Sequence, residues 1–376
     1  MEIDSAAAIH NLHSIDQKQP THVLIGFDAA IDKIMDVVDK RTGWDSYQRI
    51  LTIPAYAARI RRAAGLSTNL EMVPKTIKTG GCAVNTSNAL LNLGASVDFV
   101  GTVGERFDPI FRELASRCRE FISIGEPSYA QALEFDDGKI IMAELAPMQE
   151  VTWGKLEGHL PVERQVELYG GADVIAMVNW TETPHMNQIW RSLLDHVFPK
   201  LPKAKQRLIF FDLADPEKRP REELEAGLRL IEEFREFGTV VLGLNRKEAT
   251  HVGDVLRVKC SSPLGEASLE EITMAIAKNL CVQGVAVHPV WGAGIVLHDE
   301  YVEVKGPFTP HPQLVTGAGD NFNAGLIYGL SLGLSPHEAL TLAVGTSGFY
   351  VRNMKSPTLA ELLGFLAQCK AGELDL

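Results

Sequence analysis

Short, continuous apolar runs alternate along the chain with longer stretches of helical spacing. The first run is His22–Gly26, and others follow at 97–100, 173–178, 207–211, 239–244 and 284–288. A run that stays apolar without in-and-out alternation reads as a strand buried on both faces. Between the later runs, 221–237 and 267–281 carry their apolar residues on one helical stripe. Such strands alternating with helices predict an α/β fold, a mainly parallel central sheet flanked by helices on both faces.

Two stretches break the alternation. Residues 129–134 and 139–144 read as extended runs joined by Phe135-Asp136-Asp137-Gly138, and Asp-Gly is a strong signal for a tight hairpin. A hairpin set into an α/β chain is a candidate β lid. The other break is 36–79, where 46–64 is helix-like and 70–77 is a candidate lid strand; a surface excursion without function is the alternative reading of that helix. A second hairpin, 294–298 with 301–304, is expected to extend the sheet edge. The polar residues 1–20 read as a poorly ordered tail, leaving 21–376 as a single α/β domain with lid insertions at about 36–79 and 129–145.

Composition narrows the function. Of 376 residues, 45% are hydrophobic and 22% charged, which excludes a wholly disordered chain, and 36 Lys+Arg against 48 Asp+Glu give a net charge of -12. That balance repels a phosphate backbone, so nucleic acid is not an expected partner. The apolar runs fall far short of the ~20 residues that cross a bilayer, and residues 1–20 hold no apolar run of a secretory signal. Five dispersed cysteines, Cys82, Cys118, Cys260, Cys281 and Cys369, without a C-x-x-C pair, read as reduced thiols of a cytoplasmic protein.

The segment richest in chemistry is Val315-Thr-Gly-Ala-Gly-Asp320-Asn-Phe-Asn-Ala-Gly325. Phe322, Gly325, Leu326, Gly329 and Leu330 make one helical stripe, so Thr316-Gly-Ala-Gly319 is the loop that enters the helix. Glycines there let backbone N–H groups converge, and the positive end of the helix favours phosphate oxygens. Asp320 falls in the first turn, where a plain capping carboxylate is the ordinary alternative. A Rossmann fingerprint would need glycine in place of Phe322, and no Walker loop occurs in the chain. A carboxylate beside an anion hole suits phosphoryl transfer, the carboxylate accepting the proton of the attacking hydroxyl.

Thr316-Gly-Ala-Gly-Asp320-Asn-Phe-Asn-Ala-Gly325 resembles the C-terminal signature of the ribokinase-like carbohydrate kinases. Gly80-Gly81-Cys-Ala-Val-Asn85, followed by Phe99-Val-Gly101-Thr-Val-Gly104, is similar to that family's other signature, and Asn245-Arg-Lys-Glu248 to its N-x-x-E element. The three occur in the family's order, and the resemblance spans about 23–363. It implies a kinase that moves the γ-phosphoryl of ATP to a sugar hydroxyl, with Asp320 as catalytic base and Gly317, Ala318 and Gly319 as anion hole. Asn245 and Glu248 would act on Mg²⁺, largely through water, and Thr316, Gly292, Gly294 and Asn353 would lie on the nucleotide side. Gly80, Gly81 and Asn85 would bound the sugar site. Asp32 is favoured over Asp28 as the acidic residue that accepts hydrogen bonds from sugar hydroxyls, and Asn179 is a further contact. The motifs at Gly80 and Asp320 must meet across one sheet, which makes the single domain catalytic. Family members often dimerise through the lid, so a homodimer is implied as well.

Asp320 at a helix N-terminus is expected to be ionised and a weak base, adequate for a loose transition state. Two departures from the family pattern stand out. Leu314 replaces the usual Asp two residues before Thr316, which puts a monovalent-cation requirement in doubt. His288-Pro-Val-Trp-Gly292-Ala-Gly294 stands where the family keeps a T-x-G-x-x-G nucleotide loop. With the long insertions, this leaves an ADP-dependent sugar kinase of the same fold as an alternative, although the GAGD-x-F-x-A-G form leans to ATP. A silent sugar- or nucleotide-binding regulator is the other alternative, against which the retained Asp320 argues. Lys75, Lys78 and Arg106 are candidates for binding an anionic sugar, or are solvated surface.

Overall fold

Each strand expected in the central sheet is present to within a residue or two at its ends. The computed structural model describes residues 20–203 and 205–371, so the tail expected at 1–20 lies outside the described residues except for exposed Pro20. In chain order, β1 (His22–Gly26) is followed by β2 (Ala30–Arg41), β3 (Tyr47–Arg49), α1 (Ile53–Arg61) and β4 (Met72–Gly80). Then come α2 (Cys82–Leu93), β5 (Ser96–Gly101), α3 (Arg112–Arg117), β6 (Glu120–Ser123), β7 (Ser128–Phe135) and β8 (Gly138–Glu144). The middle of the chain forms α4 (Trp153–His159), α5 (Val162–Gly171), β9 (Val174–Met177), α6 (Met186–His196), β10 (Leu208–Asp212), α7 (Arg221–Glu233), β11 (Thr239–Asn245) and α8 (Arg246–Val255). The last part forms α9 (Leu269–Leu280), β12 (Gly284–His288), β13 (Gly292–Leu297), β14 (Glu300–Lys305), α10 (Ala318–Ser331), α11 (Pro336–Asn353) and α12 (Leu359–Ala371).

Nine strands form the main sheet in the order β14-β13-β12-β11-β10-β9-β1-β5-β6. Seven are mutually parallel, and the hairpin β13–β14 closes one edge antiparallel, as expected from its sequence. Successive side chains point to opposite faces. Leu24, Ile175, Phe211 and Leu242 therefore pack with α5 to α9 on one side, and Ile25, Ala176, Phe210 and Val241 with α2, α10, α11 and α12 on the other. Both faces are apolar, which is why the strands showed no alternation.

The lid is one five-stranded sheet built from both insertions. β2 pairs with β3, β4 and β7, and β7 in turn with β8. It begins at Ala30, earlier than the expected insertion at 36. The hairpin turn is Asp136-Asp137, with Gly138 already paired to Phe135, so the glycine opens the second strand instead of filling the turn. The helix expected at 46–64 is shorter, because Tyr47–Arg49 is extended and pairs with β2. α1 covers the lid face formed by Met35, Val37, Leu133 and Phe135 through Ile53 and Tyr56.

Candidate active site

The loop before α10 is held by three interactions. Ala318 N–H donates to Val315 O at 3.1 Å, Asn321 Nδ2 to Gly317 O at 2.9 Å, and Tyr350 Oη of α11 to Thr316 O at 2.8 Å. Gly317 has φ +91°, and a Cβ there would lie 2.7 Å from Tyr350 Oη, so only glycine fits. Among the described residues the amides of Gly317, Gly319 and Asp320 have no acceptor. The expected trio of Gly317, Ala318 and Gly319 is therefore altered, because the Ala318 amide already closes the turn. Beside Gly319 the nearest neighbour a Cβ would meet is His288 Cε1 at 3.8 Å, which leaves the surface before it open. His288 stacks on Phe322, and burial pushes its pKa down to about 4, so this flank of the loop is uncharged.

Asp320 faces the N-terminus of α2. Asn85 Nδ2 donates to its Oδ2 at 2.8 Å, with the Cys82 thiol beside it. Burial pushes the Asp320 pKa up to about 7; the Asn85 and Cys82 contacts oppose the rise, and the charges of Asp28 and Glu182 add to it. The expectation of an ionised, weak base is corrected accordingly: the cost of desolvating the charged form dominates.

Asp28 serves the scaffold. α2 starts at Gly81 without a capping side chain, and Asp28 supplies it, accepting from Cys82 N–H at 2.6 Å and Ala83 N–H at 3.0 Å. Asn179 Nδ2 donates to the same carboxylate at 2.8 Å. Burial still raises the Asp28 pKa to about 6. Asp32 lies on β2 of the lid, opposite Lys78. Its carboxylate makes no hydrogen bond among the described residues and lies over Gly80, where a Cβ would be 2.6 Å from Oδ2. Burial raises its pKa, and Lys78 and Lys139 pull it back.

Sequence reasoning missed Glu182. Its charge raises the pKa of Asp28, Asp32 and Asp320, and its carboxylate accepts from Asn179 Nδ2 at 3.0 Å. The available signal was its place in Asn179-Trp-Thr-Glu182, just beyond the carboxyl end of β9, the edge at which open α/β sheets bind ligands. Asp212 ends β10 at that edge, with Asn323 Nδ2 donating to it at 2.7 Å. Burial, then Glu248 and Asp320, push its pKa well up.

Asn245 and Glu248 form a capping box on α8: Asn245 Oδ1 accepts from Glu248 N–H at 2.9 Å, and Glu248 Oε2 from Asn245 N–H at 2.8 Å. Glu248 Oε1 accepts from Asp215 N–H at 2.9 Å. Among the described residues no three His, Cys, Asp or Glu side chains converge as direct metal ligands. Gly292 and Gly294 depart from the expected nucleotide loop. A Cβ at Gly292 would strike Val304 O at 2.5 Å and one at Gly294 the Tyr301 hydroxyl at 2.6 Å, so both glycines serve the β13–β14 pairing. Asn353 ends α11 with its amide on Phe349 O at 2.9 Å, and Thr316 is exposed.

The prokaryotic ketohexokinase family model matches residues 5–369. A ketohexokinase of Haloferax volcanii is 30% identical over 346 residues, 91% of this chain and 90% of that one. Among solved structures, a phosphofructokinase-2 mutant of Escherichia coli gives a TM-score of 0.64 at 13% identity, covering 93% of this chain and 99% of that one. Arabidopsis thaliana ribokinase complexed with ribose and ATP gives 0.63 at 18% identity, covering 92% and 98%. These structures share the fold, which is ribokinase-like. The match along nearly the whole chain places the protein in the prokaryotic ketohexokinase family, and it is a carbohydrate kinase, a phosphotransferase with an alcohol group as acceptor.

Proposed function

We propose that the protein transfers the γ-phosphoryl group of ATP to a hydroxyl of a ketohexose, with Asp320 as the base. The observation that carries this reading is the Asp320 carboxylate, recessed at the start of α10 beside amides without other acceptors and held by Asn85. With a pKa near 7 it accepts a proton more readily than an ordinary aspartate while remaining substantially ionised at neutral pH. The amides of Gly317, Gly319 and Asp320, at the positive end of α10, lie where they stabilise charge on the phosphoryl group in flight.

Asp32, Asn85, Asn179 and Glu182 line the acceptor side in this reading. Lys75 is engaged by Glu134 at 3.0 Å and Asp36 at 3.8 Å, Lys78 faces Asp32, and Arg106 is exposed. The acidic pocket that remains suits a neutral sugar over a sugar phosphate or sugar acid. Because Asp32 rides on the lid, sugar binding would draw the lid down and exclude water from the reacting groups.

The residues fit a divalent cation. Asp212 is raised by both Glu248 and Asp320, and no Lys or Arg forms an ion pair with these three carboxylates among the described residues. With no full ligand set, Asp212 and Glu248 would hold Mg²⁺ mainly through water and the nucleotide's own phosphates. Mg²⁺ bound there neutralises charge on those phosphates.

No helix among the described residues is long and apolar enough to cross a membrane, and the five cysteines are free thiols, which supports a cytoplasmic enzyme. Exposed Ile77 and Met142, in one row across the lid with Lys33 and Gln131, support a homodimer through the lid. A coupled assay over ketohexoses, aldoses, pentoses, nucleosides and hexose phosphates, each with ATP and with ADP, tests the reading. Turnover is expected with a ketohexose and ATP and is lost in Asp320→Asn. Turnover with ADP alone would refute the donor, and tight sugar binding without turnover would favour a regulator.

A further inference from the structure

We propose that Arg219 is a positioning residue for the sugar: it fixes the loop 180–184 so that Asn179 and Glu182 face the acceptor pocket. The inference rests on the acceptor-side reading of those two residues above.

The loop leaves β9 through Asn179, whose φ of +57° turns the chain sharply. The N–H groups of Trp180 and Thr181 reach Asp212 O at 3.4 Å and Leu213 O at 3.0 Å, but the carbonyls of Trp180, Thr183 and Pro184 have no strand partner. Trp180 and Thr183 are fully buried, and a buried carbonyl needs a donor. Among the described residues Arg219 is the donor to Trp180 O, through Nη1 at 2.8 Å, and to Pro184 O, through Nη2 at 2.9 Å, while on Thr183 O its Nη1 at 3.2 Å joins the N–H of Met186 at 3.0 Å. Nε and Nη2 also donate to Glu223 Oε2, so every donor of the guanidinium is engaged.

The clamp is also packed. The guanidinium carbon lies 3.9 Å from the centroid of the Trp180 ring. Trp180 Nε1 donates to Asn187 Oδ1 at 2.7 Å, and Asn187 Nδ2 to Glu223 O at 2.9 Å, which ties the loop to α6 and α7. At its other end the loop presents Asn179 Nδ2 to Asp28 and Glu182, and Glu182 N–H to Asn179 Oδ1 at 3.2 Å. Three carbonyl bonds from one side chain thus join the backbone bonds of Trp180, Thr181 and Met186 in placing Glu182. A lysine, with one nitrogen and no planar face, cannot reproduce them.

The test compares Arg219→Lys, Glu223→Gln and Glu182→Gln with the unaltered enzyme, varying sugar and ATP separately and recording melting curves. Arg219→Lys should raise the sugar KM roughly tenfold, as expected when a binding group is misplaced, while the ATP KM stays within about twofold. Glu223→Gln, which leaves Arg219 in place with a weaker anchor, should show a smaller shift in the same direction, and it decides the matter if Arg219→Lys does not fold. A lowered melting temperature with the sugar KM unchanged in both variants would reduce Arg219 to a structural role and overturn the proposal. If Glu182→Gln raises the sugar KM and the Arg219 and Glu223 variants do not, the clamp alone fails. If Glu182→Gln leaves the sugar KM unchanged, the acceptor-side reading fails and the clamp with it.

Discussion

Replacing Asp320 with asparagine should abolish turnover and at the same time stabilise the ligand-free fold, with a pH dependence that identifies the cause. The folded carboxyl has a pKa of about 7 against an ordinary 3.8, so between those values the folded state holds a proton that the unfolded state has released. Stability then falls as pH rises through this window, and the loss is complete above the folded pKa. At about 1.4 kcal/mol per unit, roughly 3 kcal/mol disappears between pH 5 and 8 as an upper estimate. The asparagine side chain is isosteric and keeps an acceptor for Asn85 Nδ2, yet it cannot ionise, so its stability lacks this component. Asp28, at about 6, and Asp212 are shifted in the same direction and feel the Asp320 charge, so its removal lowers their pKa as well and adds to the variant's advantage at high pH. For a chain of this length, about 3 kcal/mol corresponds to roughly 4 °C in Tm.

The assay is thermal unfolding of both proteins, free of nucleotide and divalent cations, at pH 5 and pH 8. The variant's advantage in Tm should be several degrees larger at pH 8 than at pH 5, while its kcat is lower by about 10³-fold, as for loss of a general base. An advantage independent of pH, or a variant less stable than the parent at pH 8, would refute the claim that burial, and not the helix dipole, governs this carboxyl.

Three further outcomes follow from the same geometry. If Asp320 is the base, kcat/KM for the sugar should fall about tenfold per pH unit below a midpoint near 7, because the ionised form is required; a profile flat to pH 5 would contradict it. Glu248→Ala should leave two backbone N–H groups, of Asn245 and Asp215, without their acceptor, destabilise the fold by about 2 kcal/mol in a denaturant titration, and shift Mg²⁺ activation to higher concentration. Asp32→Asn should raise the sugar KM with little change in Tm, whereas Asp28→Asn should lower Tm through weakened capping of α2, and the reverse assignment would show that the two residues' duties are exchanged.

The central sheet was legible because its strands are buried on both faces, so Val174–Met177 and Leu208–Asp212 appear as unbroken apolar runs bounded by turns. The loop before α10 was legible for a different reason: its glycines act on backbone groups a few positions away, which fixes their spacing, whereas Asn245 and Glu248 stood out only through the family resemblance and their capping box went unread. β2 was not legible. Its apolar residues Ile31, Ile34, Met35, Val37 and Val38 serve both faces of the lid, one packed on α1 and one turned to the cleft, which hides period two. Edge strand β6, short and only half-buried, gave no signal of its own. Glu182 and Arg219 escaped because their meaning lies in contacts across the fold, and the duties of Gly292 and Gly294 depend on the strand that pairs with them.

The carboxylates of the site divide by what satisfies them. Asp28 accepts two backbone N–H groups at the start of α2, and Glu248 one at the start of α8 and one from Asp215, so backbone donors partly offset their burial and they hold α2 and α8 in place. Asp320 has only side-chain partners, Asn85 and Cys82, and Asp32 has no hydrogen-bond partner among the described residues. A fold selected for stability alone would give such groups full hydrogen-bond partners or replace them with apolar residues, since burying a carboxylate without compensation is unfavourable. Their persistence beside unpaired amides is a local violation of folding rules of the kind that marks a working site. In the proposed function, a sugar hydroxyl and a polyphosphate with its cation would supply the missing partners: donors for Asp32, a proton for Asp320, positive charge for Asp212, and anionic oxygens for the amides of Gly317 and Gly319. On that reading the binding of both substrates would complete an electrostatic arrangement that the chain leaves open, which would tie the acidity of a protein with net charge -12 to the chemistry of a kinase.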